Sequence, residues 1–383
     1  MNDTKESIRS EINEIDDELV KLFVRRMGAA ERMAEVKRGL SAPVLDPARE
    51  RSILAKVADA VGPDLENEAR LMFTTLMSIS RGRQRAELCG ESAFIKAIEE
   101  AIESTPATFP SSASIACPGV EGSYSQQAAC RLVNFPTILY FKGFDDVFSA
   151  VEKGMCDYGI LPIENSAVGS VTAVYDLMAK HNFKIVRAVK LRIRHVLLAP
   201  RGTKLEDIKE ISSHPHAIAQ CSEFLHTLPG IRAVPATNTA AAAAQVAASG
   251  RKDVAVIAAR ECAELYGLEV IKEDISNTAS NYTRFICISK RNEIYSDAGK
   301  FSVMMSLNHR PGALTDVLVK FAAAGVNLTK LESRPVPGSD FEFRFIFDFE
   351  STPRDPRVMK MLSGFSTDPE IEHFTFLGAY SEK

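Results

Sequence analysis

One stretch divides this chain. Ser104-Thr105-Pro106-Ala107-Thr108-Phe109-Pro110-Ser111-Ser112 sets two prolines among small polar residues, a run that neither a helix nor a central strand tolerates. The segments on either side of it must fold separately, and 383 residues exceed the roughly 100–200 of one ordinary domain.

Before the break, residues 1–104 show helical periodicity, no strand alternation, and few breakers beyond Ala42-Pro43 and Gly62-Pro63. The pattern predicts one long helix and two shorter ones. Ile8, Ile12, Ile15, Leu19, Leu22, Ala30 and Met33 recur at three-four spacing, which predicts a single buried stripe. About 30 residues would span ~45 Å, more than the shorter helices cover, so a partner chain is expected.

After the break, 105–112 reads as a linker and 113–290 as an α/β domain with a mostly parallel sheet. Its apolar runs are Ile115–Cys117, Tyr158–Leu161, His195–Leu198, Val254–Ile257 and Phe285–Ile288, enough for two lobes around a cleft. A polar connector near Arg291–Lys300 leads to residues 300–383, whose strand-helix-strand-strand-helix-strand order is ferredoxin-like α+β. Its third strand is expected at Phe341–Phe349.

Composition excludes several classes. Apolar residues at 45% and charged residues at 25% fit a globular fold, and a net charge of −4 leaves no nucleic-acid footprint. No apolar run reaches the roughly 20 residues that span a bilayer, and the polar start Met1–Glu6 has no apolar leader. Seven scattered cysteines predict reduced thiols and a cytoplasmic protein. His214, His216, Cys221 and His226 match no zinc spacing, so neither metal nor cofactor is expected, and His214 reads as an ordinary histidine before proline.

The polar residues on the apolar stripes point to chemistry. Arg26 and Lys37 occupy stripe positions, and their eleven-residue separation closes to within ~20°, putting both cations on one helix face. A buried cation requires an anion, either an internal carboxylate such as Glu18 or Glu50, or a guest. In the third helix the stripe Phe73, Leu76, Ser80, Gln84 also turns polar at its end. Farther on, Ser123 with Gln126 fits a capping box, and Thr237-Asn238-Thr239 opens an alanine-rich helix. Free amides at such helix starts favour anions.

Over residues 5–90, Arg9, Arg26, Lys37, Asp46, Arg49, Glu50 and Gln84 resemble the active-site set of the all-helical chorismate mutase family. The resemblance implies two interlocked chains, with the arginine matching Arg9 entering the partner's site. Arg9 and Arg26 would hold the substrate carboxylates, Lys37 and Gln84 the ether oxygen, and Glu50 the ring hydroxyl, while Asp46 and Arg49 complete the pocket. No nucleophile is needed for a pericyclic step; holding the reactive conformer and stabilising developing charge suffice.

Over 113–290, Pro162-Ile163-Glu164-Asn165-Ser166, Ser213-His214-Pro215 with Gln220-Cys221, and Asn281-Tyr282-Thr283-Arg284-Phe285 resemble prephenate dehydratases, whose two lobes resemble periplasmic binding proteins. By that resemblance Thr283 is the hydroxyl beside the departing group and Arg284 a carboxylate clamp. Glu164, Asn165, Ser213 and Gln220 line the pocket, and Ser123 makes a helix-terminus contact. Arg310-Pro311-Gly312-Ala313-Leu314 and Leu331-Glu332-Ser333-Arg334-Pro335 resemble the two phenylalanine motifs of an ACT module, implicating Gly312, Ala313, Leu314, Glu332, Ser333 and Arg334.

Together these resemblances imply a bifunctional chorismate mutase/prephenate dehydratase inhibited by phenylalanine, a homodimer or higher oligomer acting on small molecules. Two rivals stay open: a mutase with an inactive dehydratase-like regulatory region, and a cytoplasmic two-lobed ligand-binding protein.

Overall fold

The computed structural model describes residues 4–89, 92–336 and 342–383; Phe341 and the side chain of Cys89 lie outside them. The chain divides into two units, 1–99 with 305–346 and 354–374, and 100–304 with 347–353 and 375–383.

Helix α1 (Lys5–Leu40) begins where Thr4 Oγ1 accepts the Ser7 amide at 3.2 Å. It is followed by α2 (Pro47–Val61), with Asp46 as cap and Pro47 in the first turn, then α3 (Glu66–Cys89) and α4 (Ala93–Ser104). The fourth helix was not expected. Burial also departs from the periodicity: α1 buries Met27, Ala30 and Ala34, whereas Ile12 is 51% and Leu22 58% exposed. At 36 residues α1 is ~54 Å long, while α3 is ~36 Å, so among the described residues the N-terminal half of the stripe is left largely uncovered.

The second unit holds two sheets. In chain order come β1 (Ser112–Pro118), α5 (Tyr124–Leu132), β2 (Phe135–Phe141), α6 (Phe144–Glu152), β3 (Tyr158–Asn165), β4 (Gly169–Ser170), α7 (Thr172–His181) and β5 (Lys184–Arg192). The chain then crosses to β6 (Val196–Pro200), β7 (Glu210–Ser213), α8 (Pro215–Gln220), α9 (Ser222–His226), β8 (Arg232–Pro235), α10 (Thr239–Ser249), β9 (Val254–Ala258), α11 (Glu261–Tyr266) and β10 (Leu268–Lys272). It returns as β11 (Tyr282–Ser289) between β5 and β3. The second lobe orders its strands β10-β6-β9-β7-β8.

Both sheets are mixed, not mostly parallel. β1 runs parallel to β2 and β3, but β11 re-enters from the other lobe and runs antiparallel to both β3 and β5. In the second sheet β7 is parallel to β8 and β9, while β6 is antiparallel to β9 and β10. Each lobe has its own apolar core, and Tyr124 packs against both.

The remaining elements are β12 (Lys300–Leu307), α12 (Ala313–Ala324), β13 (Leu328–Pro335), β14 (Phe343–Glu350), α13 (Pro356–Ser366) and β15 (Ile371–Glu382). Their order across the sheet, β13-β14-β12-β15, is the ferredoxin-like arrangement. The end of β15 continues sideways, pairing parallel with β5 at Ser381↔Arg187 and Glu382↔Ala188. The connector after β11 is packed: buried Glu293 accepts from Tyr158 at 2.8 Å and Tyr295 at 2.6 Å. No helix among the described residues is long and apolar enough to cross a membrane.

Candidate active sites

In the helical region α1 and α2 both pack on α3. Half-buried Arg26 donates through Nη1 to the Leu76 carbonyl at 2.9 Å and to Ser80 Oγ. Burial pulls its guanidinium pKa down, with Glu50 opposing. Lys37 donates to the Val44 carbonyl. Neither cation is paired with a carboxylate among the described residues, for Glu18 is exposed and Glu50 is bound to Arg81 Nη1 at 2.5 Å. One turn beyond Ser80 on the same face, Gln84 is 8% exposed and its Oε1 has no hydrogen-bond partner.

A half-buried cation with only neutral hydrogen-bond partners is a costly arrangement that a small dianion relieves, while the unsatisfied Gln84 oxygen calls for a donor such as a hydroxyl. Asp46 caps α2 by accepting the Arg49 amide at 2.9 Å, and the Arg49 side chain is exposed. Arg9 is exposed and lies 17 residues before Arg26 on the same helix, ~25 Å along the axis, so it does not join this cluster. Ser80 lies on the stripe whose polar end the periodicity marks, whereas its neighbour Arg81 is one that periodicity does not single out. Arg81, 6% exposed, is also 3.5 Å from Glu370, and the charge it offers Glu50 is invisible without the fold.

In the two-lobed region a hydrogen-bonded chain runs from one lobe to the other. Asn165 Nδ2 on β3 donates to Thr283 Oγ1 and to Asn281 Oδ1, both at 2.8 Å. Asn281 Nδ2 donates to Gln220 Oε1 at 3.0 Å, and His195 Nε2 lies 3.0 Å from that same oxygen. Tyr124 OH donates to the Arg194 carbonyl at 2.8 Å and is 3.5 Å from His195 Nδ1. Burial lowers the His195 pKa, the Gln220 bond opposing, which disfavours the charged ring, and Nε2 is the ring nitrogen that faces the Gln220 oxygen. Asn281, His195 and Tyr124 went unassigned from sequence. A lone histidine opening an apolar strand gives no local signal.

Three dehydratase residues sit otherwise than expected. Ser213 is fully buried and donates to the Ile257 carbonyl at 2.6 Å, so its hydroxyl serves the second sheet and does not line a pocket. Arg284 is committed to internal acids, 2.5 Å from Asp348 and 2.6 Å from Glu382, and does not stand free as a clamp. Ser123 caps α5 through a 3.4 Å bond from Gln126 N, but Gln126 reaches back to the Gly122 amide, so the reciprocal half of the box is displaced by one residue. Glu164 is half-buried, 3.9 Å from Arg284.

In the C-terminal strands and helices, Gly312 adopts φ +83° at the start of α12, a left-handed conformation that leaves the turn open to an approaching group. Ala313 and Leu314 follow in the first turn, and Arg310 pairs with Asp316 at 2.7 Å and Glu370 at 3.3 Å. On β13, Glu332 is half-buried and 3.2 Å from Lys330, Ser333 is exposed, and Arg334 has a buried Nη1 without a hydrogen-bond partner.

Residues 8–85 match the chorismate mutase type II family, 115–293 the prephenate dehydratase family, and 301–363 the ACT domain. The chain is 32% identical to the bifunctional chorismate mutase/prephenate dehydratase of Neisseria gonorrhoeae, over 92% of this chain and 91% of that protein. It belongs to the bifunctional chorismate mutase/prephenate dehydratase family. The Escherichia coli K12 member is 30% identical, over 93% and 91% of the two chains. Among solved structures, the prephenate dehydratase of Arthrobacter aurescens in complex with L-Phe superposes with TM-score 0.63 at 33% identity, covering 70% of this chain and 89% of that one. GqqA, a quorum-quenching acylase, gives TM-score 0.63 at 31% identity over 70% and 98%. As a bifunctional chorismate mutase/prephenate dehydratase, the chain has two catalytic domains followed by an ACT regulatory domain.

Proposed function

We propose that the helical region, taken as residues 1–104, rearranges chorismate to prephenate through Arg26, Lys37, Glu50 and Gln84. Asp46 and Arg49 shape the α2 start, and Arg9 is supplied by a second copy of the chain. The observation that supports this reading is the pair Arg26 and Gln84: a half-buried guanidinium with only neutral partners, one turn from a buried, unsatisfied amide oxygen. A dianionic guest neutralises the first, and the Gln84 amide group donates to the ether oxygen as charge develops there. The uncovered N-terminal half of α1 is the surface a second copy would bury, making the enzyme at least a homodimer.

Residues 113–290, joined through 105–112, then convert prephenate to phenylpyruvate. Because Thr283 Oγ1 already accepts from Asn165, its own proton is free to donate to the departing ring hydroxyl. Hydroxide leaves with that assistance, the carboxylate departs as carbon dioxide, its electron pair enters the ring, and water forms when the hydroxide is protonated. Asn165, Asn281 and Gln220 orient the hydroxyl, Glu164 flanks it, and Ser123 presents the α5 start to a substrate carboxylate. Residues 300–383 bind phenylalanine at Gly312–Leu314 and Glu332–Arg334, where Arg334 has a donor to spare. The substrates, and the six free cysteines among the described residues, suit the cytoplasm.

One incubation with chorismate, following prephenate and phenylpyruvate with and without phenylalanine, tests the reading. Both products should appear in turn and phenylalanine should suppress the second. Prephenate accumulating without phenylpyruvate would leave only the mutase, and no turnover would leave a binding protein.

A further inference from the structure

Thr283 and Arg284 are neighbours on β11, and neighbours on a strand face opposite sides of its sheet. On the β3 ladder they occupy consecutive rungs, Thr283 opposite Asn165 and Arg284 opposite Glu164, with a register shift directly after Arg284. Thr283 turns toward the hydrogen-bonded chain between the lobes. Arg284, 6% exposed, turns the other way and meets the C-terminal strands.

There its guanidinium is encircled. Asp348 on β14 lies 2.5 Å from Nη1, Glu382 on β15 2.6 Å from Nε, and the Tyr380 hydroxyl accepts from Nη2. Ser302 on β12 closes the cluster, donating to Asp348 at 2.5 Å and lying 2.7 Å from the Tyr380 hydroxyl. Asp348 is 2% and Tyr380 0% exposed. Burial works against the cation, but Tyr380, Asp348 and Glu382 outweigh it and raise its pKa. Glu382 also pairs with Lys190 at 2.9 Å and Lys300 at 3.2 Å, and Glu164 stands 3.9 Å from Arg284, so the guanidinium belongs to an internally compensated ion cluster and its charge is not offered to a dianionic substrate.

We propose that Arg284 is a positioning residue and not a substrate clamp: anchored by Asp348, Tyr380 and Glu382, it fixes β11 one residue beyond Thr283, so that the C-terminal sheet sets the aim of the catalytic hydroxyl. The inference rests on Thr283 serving the dehydratase as the donor to the departing hydroxyl. Its chemical sense is that a displaced donor loses rate far faster than affinity, because the hydrogen bond to departing hydroxide exists only as that charge develops.

The test uses the full chain with R284K, D348N, Y380F and T283A, measuring phenylpyruvate formation against prephenate concentration, and chorismate loss as a control for folding. R284K and D348N should each lower dehydratase kcat about ten- to a hundredfold while KM stays within about twofold, as geometric misplacement predicts. The R284K/D348N double variant should be no worse than the poorer single, since both break one unit. Mutase parameters should be unchanged. A rise in KM for R284K with D348N at parental rate would restore the clamp and overturn the proposal. If D348N does not fold, Y380F, which removes one hydroxyl from the cluster, decides: a severalfold fall in kcat at constant KM supports anchoring, and parental kcat overturns it. A parent that forms no phenylpyruvate, or T283A turning over like the parent, instead refutes the dehydratase reading beneath it.

Discussion

Asn165 donates to the Thr283 hydroxyl oxygen across the β3–β11 ladder at 2.8 Å, while its own carbonyl accepts the amides of Ala167 at 2.9 Å and Val168 at 3.1 Å. This polarity decides which way the Thr283 proton points. N165D keeps the two accepted amides but removes both donors, so the Thr283 hydroxyl turns its proton to the new carboxylate. Phenylpyruvate formation should fall about 10²-fold or more with the fold intact, comparable to losing one oxyanion-type donor. Steady-state kinetics with prephenate measures it, and a variant with parental kcat would exclude this orientation.

Arg26 is held by a carbonyl and a hydroxyl, with no carboxylate of its own. R26M should therefore abolish chorismate turnover by about 10²-fold or more. Its stability should stay the same or rise by about 1 kcal/mol, because a desolvated cation is replaced by an apolar chain of similar length. Chorismate loss and the urea midpoint are the two readings. A midpoint that drops steeply would show Arg26 to be a structural ion after all.

Arg9 and Arg26 are too far apart on one helix to serve one site from the same chain. If two copies exchange these helices, R9A and R26A should each be inactive alone. Unfolded and refolded together in equal amounts, they should regain about a quarter of parental mutase activity, since half the dimers are mixed and each has one intact site. Recovery no greater than the sum of the separate proteins would argue against a shared site.

His195 resists protonation because burial disfavours its charged form, with the Gln220 bond only partly opposing. Its folded pKa lies below the ordinary 6.5, so as pH falls through that value the unfolded chain takes up a proton that the folded chain refuses. Stability therefore declines with acidification, from near 6.5 down to the lowered folded value. H195Q should show a smaller loss of urea midpoint between about pH 7.5 and 5.5 than the parent. Equal losses would mean that the ring titrates normally.

The sequence makes the chemistry of types legible and leaves the chemistry of directions hidden. Thr283 stands out within Asn281–Phe285, and Arg26 within an apolar stripe, because each violates a local pattern. Whether Arg284 points with Thr283 or away from it depends on Asp348 and Glu382, 64 and 98 residues later, whose positions only the sheet order reveals. Ser213 looks like any pocket serine until the second sheet places the Ile257 carbonyl at its hydroxyl. His195 acquires its role from Tyr124 and Gln220, one in each flanking segment of chain. The stripe of α1 illustrates the converse: its periodicity is genuine, but a burial prediction needs a covering surface, and among the described residues one chain supplies it only at Met27, Ala30 and Ala34, leaving even Met33 48% exposed.

The end of β15 bears on modularity. Gly378 approaches β5 so closely that a Cβ there would stand 2.2 Å from the Ile185 carbonyl oxygen, and the strand then pairs with β5 through Glu382. A sensor stitched to its catalytic neighbour in this way is not a cassette. Any gene fusion or laboratory chimera that exchanges it must also exchange the border strand it leans on, so receptor and enzyme are expected to be inherited as one piece.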